Sequence, residues 1–209
     1  MVPEKLPSLA QAPLSDASID AYGFKFHLPN KRIIKTREHQ LTTMVFFSDR
    51  GVLIVKNMLR DAEVEPFFSI LKEDKRAGRL LENDVLQSRF KLMQAVLSAT
   101  PDHVKWWRFR SSQNQKESLL LETKSIAQIE CAPPGRFTIT PVYTIAFGEF
   151  RGFQFGNPDV APYEAHIDVF DGADRQFTLD IAGPEGHKQL LTQQELNAMV
   201  ASIRPTSDR

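Results

Sequence analysis

The chain has 209 residues, of which 42% are hydrophobic, and its 26 lysine and arginine residues balance 26 aspartate and glutamate residues. With a net charge of zero, the protein has no overall field that would attract nucleic acid or an anionic membrane, so we expect no nucleic-acid partner. One cysteine cannot form an intramolecular disulfide, and no spacing of cysteine and histidine is typical of a zinc site. Burial of hydrophobic side chains must therefore hold the fold together, and we expect neither a metal nor another cofactor.

The N-terminal segment has the composition of a flexible leader. Pro3, Pro7 and Pro13 lie among serine, alanine and glutamine, and no apolar stretch there has the length of a signal peptide or a membrane span. We expect a leader over residues 1–18, a single α/β domain over 19–205, a tail over 206–209 and no transmembrane segment. The protein would be periplasmic or envelope-associated if an export signal was removed, and cytoplasmic otherwise.

The first half of the domain combines short strands with helices. Period-two alternation of apolar and polar residues predicts a half-buried strand over 22–28, and two apolar runs over 44–48 and 51–58 predict a hairpin. Helical spacing then predicts one helix that begins at Pro66. The stripe of a second helix is formed by Leu86, Phe90, Met93 and Leu97.

The second half contains the main sheet between two capped helices. Ser112 and Gln115 form a capping-box signature for a helix that ends near residue 129. Period two then returns from 136 to 182 and predicts an antiparallel meander. Thr192 and Glu195 form a second capping box, and it opens a helix with one apolar stripe. The stripe consists of Leu196, Met199, Val200 and Ile203.

The turn after residue 170 must contain an odd number of residues. Ile167 and Val169 share the apolar face of one strand, and Phe177 and Leu179 share that of the next. A two-residue loop would place Asp168 opposite Phe177, with a polar face against an apolar one. We therefore expect a three-residue turn with a bulge.

The order of these elements resembles the PsbP-like fold. The resemblance rests on the strand at residues 22–29, YGFKFHLP, and on the closing helix at 191–204, LTQQELNAMVASIR, with a strand pair, helices and a meander between them. The family includes photosystem assembly and extrinsic proteins, a Ran-binding nuclear-import factor, bacterial envelope lipoproteins and chaperones of type VI secretion effectors. The resemblance implies an αβα sandwich with a central, mainly antiparallel sheet that acts by binding, because most members are not enzymes.

One polar row in the meander could carry chemistry. Glu164, His166 and Asp168 lie on one face of their strand, and Thr178 and Asp180 lie on the matching face of the next. Alternate residues of a strand are roughly 7 Å apart, so the row could ligate a divalent ion or supply a general base. Alternation also produces such a row on the solvent side of any half-buried hairpin, and we expect that arrangement here. If a metal site exists, its ligands would be Glu164, His166 and Asp168.

Other catalytic signatures are missing from the sequence. It contains no GxSxG elbow, phosphate-binding loop or HExxH motif, and Cys131 has no histidine in a local motif with it. Gly148, Gly152 and Gly156 are spaced by four, which fits bulges or close strand contacts better than dinucleotide binding. We expect no catalytic residue.

The segment 105–110 interleaves cations with aromatic residues. As a strand, it would direct Trp107 toward the core. The opposite face would carry Trp106, Arg108 and Arg110. Tryptophan and arginine are enriched at interface hot spots, so this face is the candidate binding surface for a protein or an anionic ligand. The alternative is an ordinary amphipathic strand.

These patterns favour a non-enzymatic protein that binds a protein partner, as an accessory or assembly factor in a bacterial envelope or secretion system. One alternative is a small metal-dependent hydrolase that uses Glu164, His166 and Asp168, with Asp180 as a further group. Another is an effector chaperone or immunity protein that masks one cognate effector. The oligomeric state is left open by the sequence.

Overall fold

The structure is a computed structural model, and most of the residues that it describes lie in strands. It describes residues 4–6, 12–21, 23–31, 33–39, 42–48, 51–57, 88–98, 141–160, 163, 165–182 and 191–206. Two units divide the chain: a sheet unit formed by Glu4–Arg60 and Thr140–Arg209, and a second unit formed by Met1–Pro3 and Asp61–Ile139. The region expected to be one domain, 19–205, is thus shared between the two units.

The described strands of the sheet unit form two sheets. Eight strands form a large sheet in the order β1-β7-β8-β9-β10-β6-β5-β4, and three form a small sheet in the order β11-β3-β2. Neighbouring strands are antiparallel, apart from the parallel pair β1 and β7. The strands are β1 (Glu4–Lys5), β2 (Leu14–Ala21), β3 (Phe24–Pro29), β4 (Ile33–His39), β5 (Thr42–Phe47), β6 (Val52–Asn57), β7 (Val142–Phe147), β8 (Phe150–Gly156), β9 (Ala165–Phe170), β10 (Gln176–Ala182) and β11 (Arg204–Pro205).

The hydrophobic core of this unit joins the small sheet, one helix and one face of the large sheet. Phe24 on β3 contacts Phe150 on β8 and Phe177 on β10, with ring centroids 5.9 and 4.6 Å apart. On the large sheet, the core face is defined by the buried residues Val45, Leu53, Val55, Ile145, Ala165, Ile167, Val169, Leu179 and Ile181. Each is apolar and alternates with a residue of the opposite face, because successive side chains of a strand point to opposite sides.

The closing helix was predicted correctly, including its first turn. A helix over Gln193–Ala201 follows Thr192, whose hydroxyl accepts a hydrogen bond from the Glu195 backbone, while the Glu195 carboxylate accepts one from the Thr192 backbone. The apolar stripe of this helix is buried in the core, and the helix contacts β2 and β3. At its N-terminus, the Gln193 amide exchanges hydrogen bonds of 2.6 and 2.9 Å with the Gln154 amide on β8.

The first predicted strand and the first predicted hairpin are also present. Phe24, Phe26 and Leu28 are buried on β3 and alternate with exposed Lys25 and His27. Strands β5 and β6 pair antiparallel, from Thr42 opposite Lys56 to Phe46 opposite Val52. The period-two pattern therefore identified β3, and the two apolar runs identified the hairpin.

The turn between β9 and β10 has the expected odd length. Val169 lies opposite Phe177, so the two apolar faces coincide. Beyond the ladder, the Asp171 backbone N–H donates to the Arg175 carbonyl at 3.2 Å, which leaves a loop of three residues. Asp174, the last of them, has a φ of 62°. A left-handed residue after a type I turn is the usual bulged geometry of a three-residue hairpin loop.

The segment 1–18 is not entirely a flexible leader, because its described residues include strands. Leu14–Ala21 form β2, which pairs antiparallel with β3, and Glu4–Lys5 form β1 beside β7. Among the eight residues of β2, Ile19 alone is buried. Composition therefore indicated a leader, whereas pairing with the apolar strand β3 holds Leu14–Ala21 in the small sheet.

The described part of the second unit is residues 88–98, which contain one helix over Arg89–Ser98. The Ser88 hydroxyl accepts a hydrogen bond from the Lys91 backbone and so satisfies one free donor of the first turn. Met93 and Leu97, from the predicted stripe, are buried. Leu86 and the predicted helices that begin at Pro66 and Ser112 lie outside the described residues.

Gly152 on β8 is a position where the backbone of the next strand approaches closely. A Cβ atom at this position would overlap the carbonyl oxygen of Asp168 on β9. Because a backbone atom cannot move aside without disturbing the ladder, we expect Gly152→Ala to destabilise the protein by about 2 to 3 kcal/mol. Chemical denaturation measures this loss as a lower midpoint.

Gly172 provides the matched control for Gly152. It lies in the exposed β9–β10 turn, and a Cβ atom there would meet nothing within 4 Å. Gly172→Ala is expected to change the stability by less than about 0.5 kcal/mol. Equal midpoints for the two variants would contradict the close approach of β8 and β9.

Candidate functional site

Several predicted site residues lie outside the described residues. These are Glu164, Cys131 and the proposed binding face of Trp106, Arg108 and Arg110. The remaining members of the polar row lie together on the face of the large sheet opposite the core face. We call them, with Gln176, the polar cluster: His166, Asp168, Gln176, Thr178 and Asp180.

Strand register places the polar cluster on two neighbouring strands. On β9 and β10, His166 lies opposite Asp180, Asp168 lies opposite Thr178, and Phe170 lies opposite Gln176. Residues that are directly opposite in an antiparallel pair point to the same side with Cβ atoms about 4.5 to 5.5 Å apart. The odd-length turn sets one register for β9 and β10. In that register, polar residues lie opposite polar residues on one face and apolar residues lie opposite apolar residues on the other.

His166 is the centre of the hydrogen bonds in this cluster. Its Nδ1 lies 2.6 Å from Oδ1 of Asp180, and its Nε2 lies 3.3 Å from Oδ1 of Asp168. The same Asp168 oxygen accepts a hydrogen bond of 3.0 Å from the side-chain amide of Gln176. The ring of Phe155 on β8 lies beside the imidazole, with centroids 6.0 Å apart.

The expectation that this row faces solvent is wrong. Relative exposures are 3% for His166, 0% for Asp168, 1% for Thr178 and 7% for Asp180. All six residues of β9 are buried, so this strand is buried on both faces although its sequence alternates. Alternation indicates that the two faces of a strand differ in polarity. It does not indicate whether other parts of the protein cover the polar face.

The two carboxylates keep His166 in its charged form. Burial alone would lower the pKa of the imidazole, but the charges and hydrogen bonds of Asp168 and Asp180 raise it from 6.5 to about 9. At neutral pH both ring nitrogens therefore donate, one to each carboxylate. Burial raises the pKa of Asp168 above its ordinary value, and this effect exceeds the opposing attraction of His166.

The cluster is arranged as an internal ion pair and not as an open reaction site. A general base needs a ring nitrogen that can accept a proton, and a metal ligand needs a nitrogen lone pair, but both nitrogens of His166 point at carboxylates. Among the described residues, no group of three His, Cys, Asp or Glu side chains has a geometry that could hold a metal ion. Asp168 Oδ2 and Thr178 Oγ1 are buried without a hydrogen-bond partner.

Sequence reasoning missed Gln176 as a member of the cluster. Gln176 lies two residues before Thr178, so the parity that placed Thr178 and Asp180 on one face also assigns Gln176 to it. The signal was therefore in the sequence, but the residue lies next to the turn, where the end of the ladder was uncertain.

A second candidate site is the outer edge of the large sheet. Among the described strands, β4 is last in the sheet and pairs on one side with β5. Residues 34–39 are all exposed, and Ile34 is 62% exposed. The register shifts between Ile33 and Lys35, so Ile34 is the extra residue of a bulge. We call the outward side of Ile33–His39 the β4 edge.

Comparison with protein-family models, curated proteins and solved structures finds no match for this chain. Neither helix in the described part of the chain has the length and apolar character needed to cross a membrane. In its described residues, the structure is a mixed α/β protein in which most residues lie in the strands of two sheets. Its function must be inferred from the polar cluster and the β4 edge.

Proposed function

We propose that this protein binds a protein partner and does not catalyse a reaction. The observation that carries the proposal is the β4 edge, a seven-residue strand that is exposed at the end of the large sheet. An exposed strand edge offers backbone donors and acceptors to an extended segment of another chain. The exposed side chain of Ile34 offers an apolar contact next to these backbone donors and acceptors.

The polar cluster favours this proposal over the hydrolase alternative. A hydrolase would need His166 or Asp168 to reach a substrate or a metal-bound water. His166 instead uses both ring nitrogens within the cluster, and Asp168 is fully buried. Buried charges that are paired and hydrogen-bonded are a common structural arrangement. The cluster is therefore better explained as part of the scaffold that holds β9 against β10.

We further propose that the protein has the PsbP-like fold, an αβα sandwich with a central, mainly antiparallel sheet, of which the sheet unit supplies the central sheet and the closing helix. Strand β3, the hairpin β5–β6, the meander β7–β10 and the closing helix follow one another in the order on which the resemblance rests. Accessory, chaperone and immunity roles in a bacterial envelope or secretion system all require a stable contact with another protein. The identity of the partner would distinguish these roles.

Site-specific photo-crosslinking tests the binding proposal. A photoreactive residue is placed at position 34 on the β4 edge, or at position 160 as a matched control, because Ile34 and Val160 are exposed to similar extents, 62% and 57%. In cells of the source organism, we expect a discrete protein adduct from position 34 and not from position 160. The partner identified in that adduct should then bind the purified wild-type protein and bind Ile34→Asp at least about tenfold more weakly, a loss of about 1.4 kcal/mol. Identical adducts from both positions, or none from position 34, would contradict the proposal.

A further inference from the structure

The exposed side chains of the β4 edge carry a cationic pattern. Beyond the bulge, Lys35 lies opposite Phe46 of β5, and Arg37 lies opposite Met44. Lys35 Nζ is 4.6 Å from the centroid of the Phe46 ring, and the Arg37 guanidinium carbon is 5.7 Å from it. Both cations therefore share one side of β4 and lie over the same aromatic ring, which restricts their positions.

An added strand would meet these cations directly. In an antiparallel or parallel addition, alternate side chains of the new strand fall on the same side as Lys35 and Arg37. Glu38, the acidic residue of β4, pairs with Thr43. It therefore lies with Thr36 on the face of the strand opposite Lys35 and Arg37. The cationic side would thus favour carboxylates, two residues apart, on the incoming segment.

A second copy of this chain fits the edge poorly. Two antiparallel β4 strands related by a two-fold axis must bring residues of the same side together. In the registers centred on residues 35, 36 and 37, each pairing places Lys35 or Arg37 opposite a cation of the second copy. Like charges directly opposite each other destabilise a strand pair, and edge lysines oppose self-association of sheets.

We infer that the partner adds an extended acidic segment to the β4 edge, with carboxylates at alternate positions facing Lys35 and Arg37. This inference rests on the proposed function, since it specifies the chemistry of the partner at the same edge. Backbone hydrogen bonds to β4 would hold the added strand. The two cations would favour acidic residues on the face of that strand that lies beside Lys35 and Arg37.

A peptide titration tests the inference. The probe is a blocked, fluorescein-labelled peptide of alternating glutamate and valine, and a glutamine-for-glutamate peptide is its neutral match. By fluorescence anisotropy, we expect the wild-type protein to bind the glutamate peptide at least about tenfold more tightly than the glutamine peptide, with affinity that falls as salt increases. The double variant Lys35→Gln, Arg37→Gln should lose at least about tenfold in affinity for the glutamate peptide.

Lys5→Gln with Lys25→Gln is the matched control, because it removes two exposed cations from other strands. It should bind the glutamate peptide within about twofold of the wild type. Failure of the wild type to bind the glutamate peptide, equal loss in both double variants, or self-association through β4 in sedimentation would overturn the inference. If the partner crosslinked at position 34 binds Lys35→Gln, Arg37→Gln as tightly as the wild type, the acidic segment is wrong while edge binding stands. If position 34 yields no adduct, the proposed function itself fails.

Discussion

Ending the chain at residue 191 is expected to abolish the cooperative unfolding transition of the sheet unit. The truncation removes the closing helix and β11, with four side chains that are buried in the core: Leu196, Met199, Val200 and Ile203. Burial of each contributes about 1.5 to 3 kcal/mol. Their combined loss, about 6 to 12 kcal/mol, is comparable to the whole stability of a typical domain, about 5 to 15 kcal/mol. Calorimetry and near-ultraviolet circular dichroism would detect the lost transition.

Point variants test the same packing in a chain that still folds. Met199 is fully buried, so Met199→Ala should cost about 2 to 5 kcal/mol. Gln194 is exposed on the same helix, and Gln194→Ala should stay within about 0.5 kcal/mol of the wild type. A truncated chain that keeps its transition, or equal stability of the two point variants, would mean that this helix does not contribute to the core.

The elements that the sequence predicted correctly are those in which local pattern and tertiary contact agree. Phe24, Phe26 and Leu28 alternate and are buried, and the Thr192–Glu195 capping box is determined by residues three apart. The parity of the β9–β10 turn could also be derived, because a one-residue slip would exchange the two faces of a strand. Such features require no knowledge of what lies across the sheet.

The strands that the sequence missed carry little apolar signal. In β2 and β4 most side chains are partly or fully exposed, and their place is fixed by backbone pairing with β3 and β5. Period-two analysis detects a buried face, so an edge strand with two polar faces escapes it. Period-two alternation, which predicted core strand β3, therefore could not predict β4, whose edge carries the proposed function.

The polar cluster shows the opposite limit of sequence analysis. The residues His166, Asp168, Thr178 and Asp180 were grouped correctly on one face, because register follows from alternation. Their burial was not predicted, since it depends on what covers the face and not on the strand itself. Burial changes the interpretation of the same residues from an exposed metal or base site to an enclosed ion pair.

Replacing the central histidine of the polar cluster is expected to cost about 3 to 5 kcal/mol, because His166→Leu leaves two carboxylates buried without their cation. The triple variant His166→Leu, Asp168→Asn, Asp180→Asn should be more stable than His166→Leu alone, since it leaves no buried charge unpaired. Urea denaturation near pH 7 measures both differences. If the single variant were as stable as the wild type, the cluster would not be an ion pair.

The same ion pair predicts that stability decreases as the pH rises. The pKa of His166 is raised from 6.5 to about 9 in the folded protein, so the folded state binds the imidazole proton more tightly than the unfolded chain does. The resulting stabilisation is complete below about pH 6.5 and is lost as the pH rises through about 9, a decrease of about 3 kcal/mol in the free energy of unfolding. The raised pKa of Asp168 also makes stability decrease as the pH rises, because the folded state binds that proton more tightly than the unfolded chain does.

Denaturation at pH 6 and pH 9 in three proteins isolates the contribution of His166. The wild type and the control His39→Gln, in which an exposed histidine of β4 is replaced, should both lose stability over this interval. His166→Leu should lose much less, because it lacks the imidazole whose pKa is raised to about 9. If all three proteins showed the same decrease, another group would be responsible. If the wild type became more stable at pH 9, His166 would be neutral in the folded state, and its contacts with Asp168 and Asp180 would be ordinary hydrogen bonds.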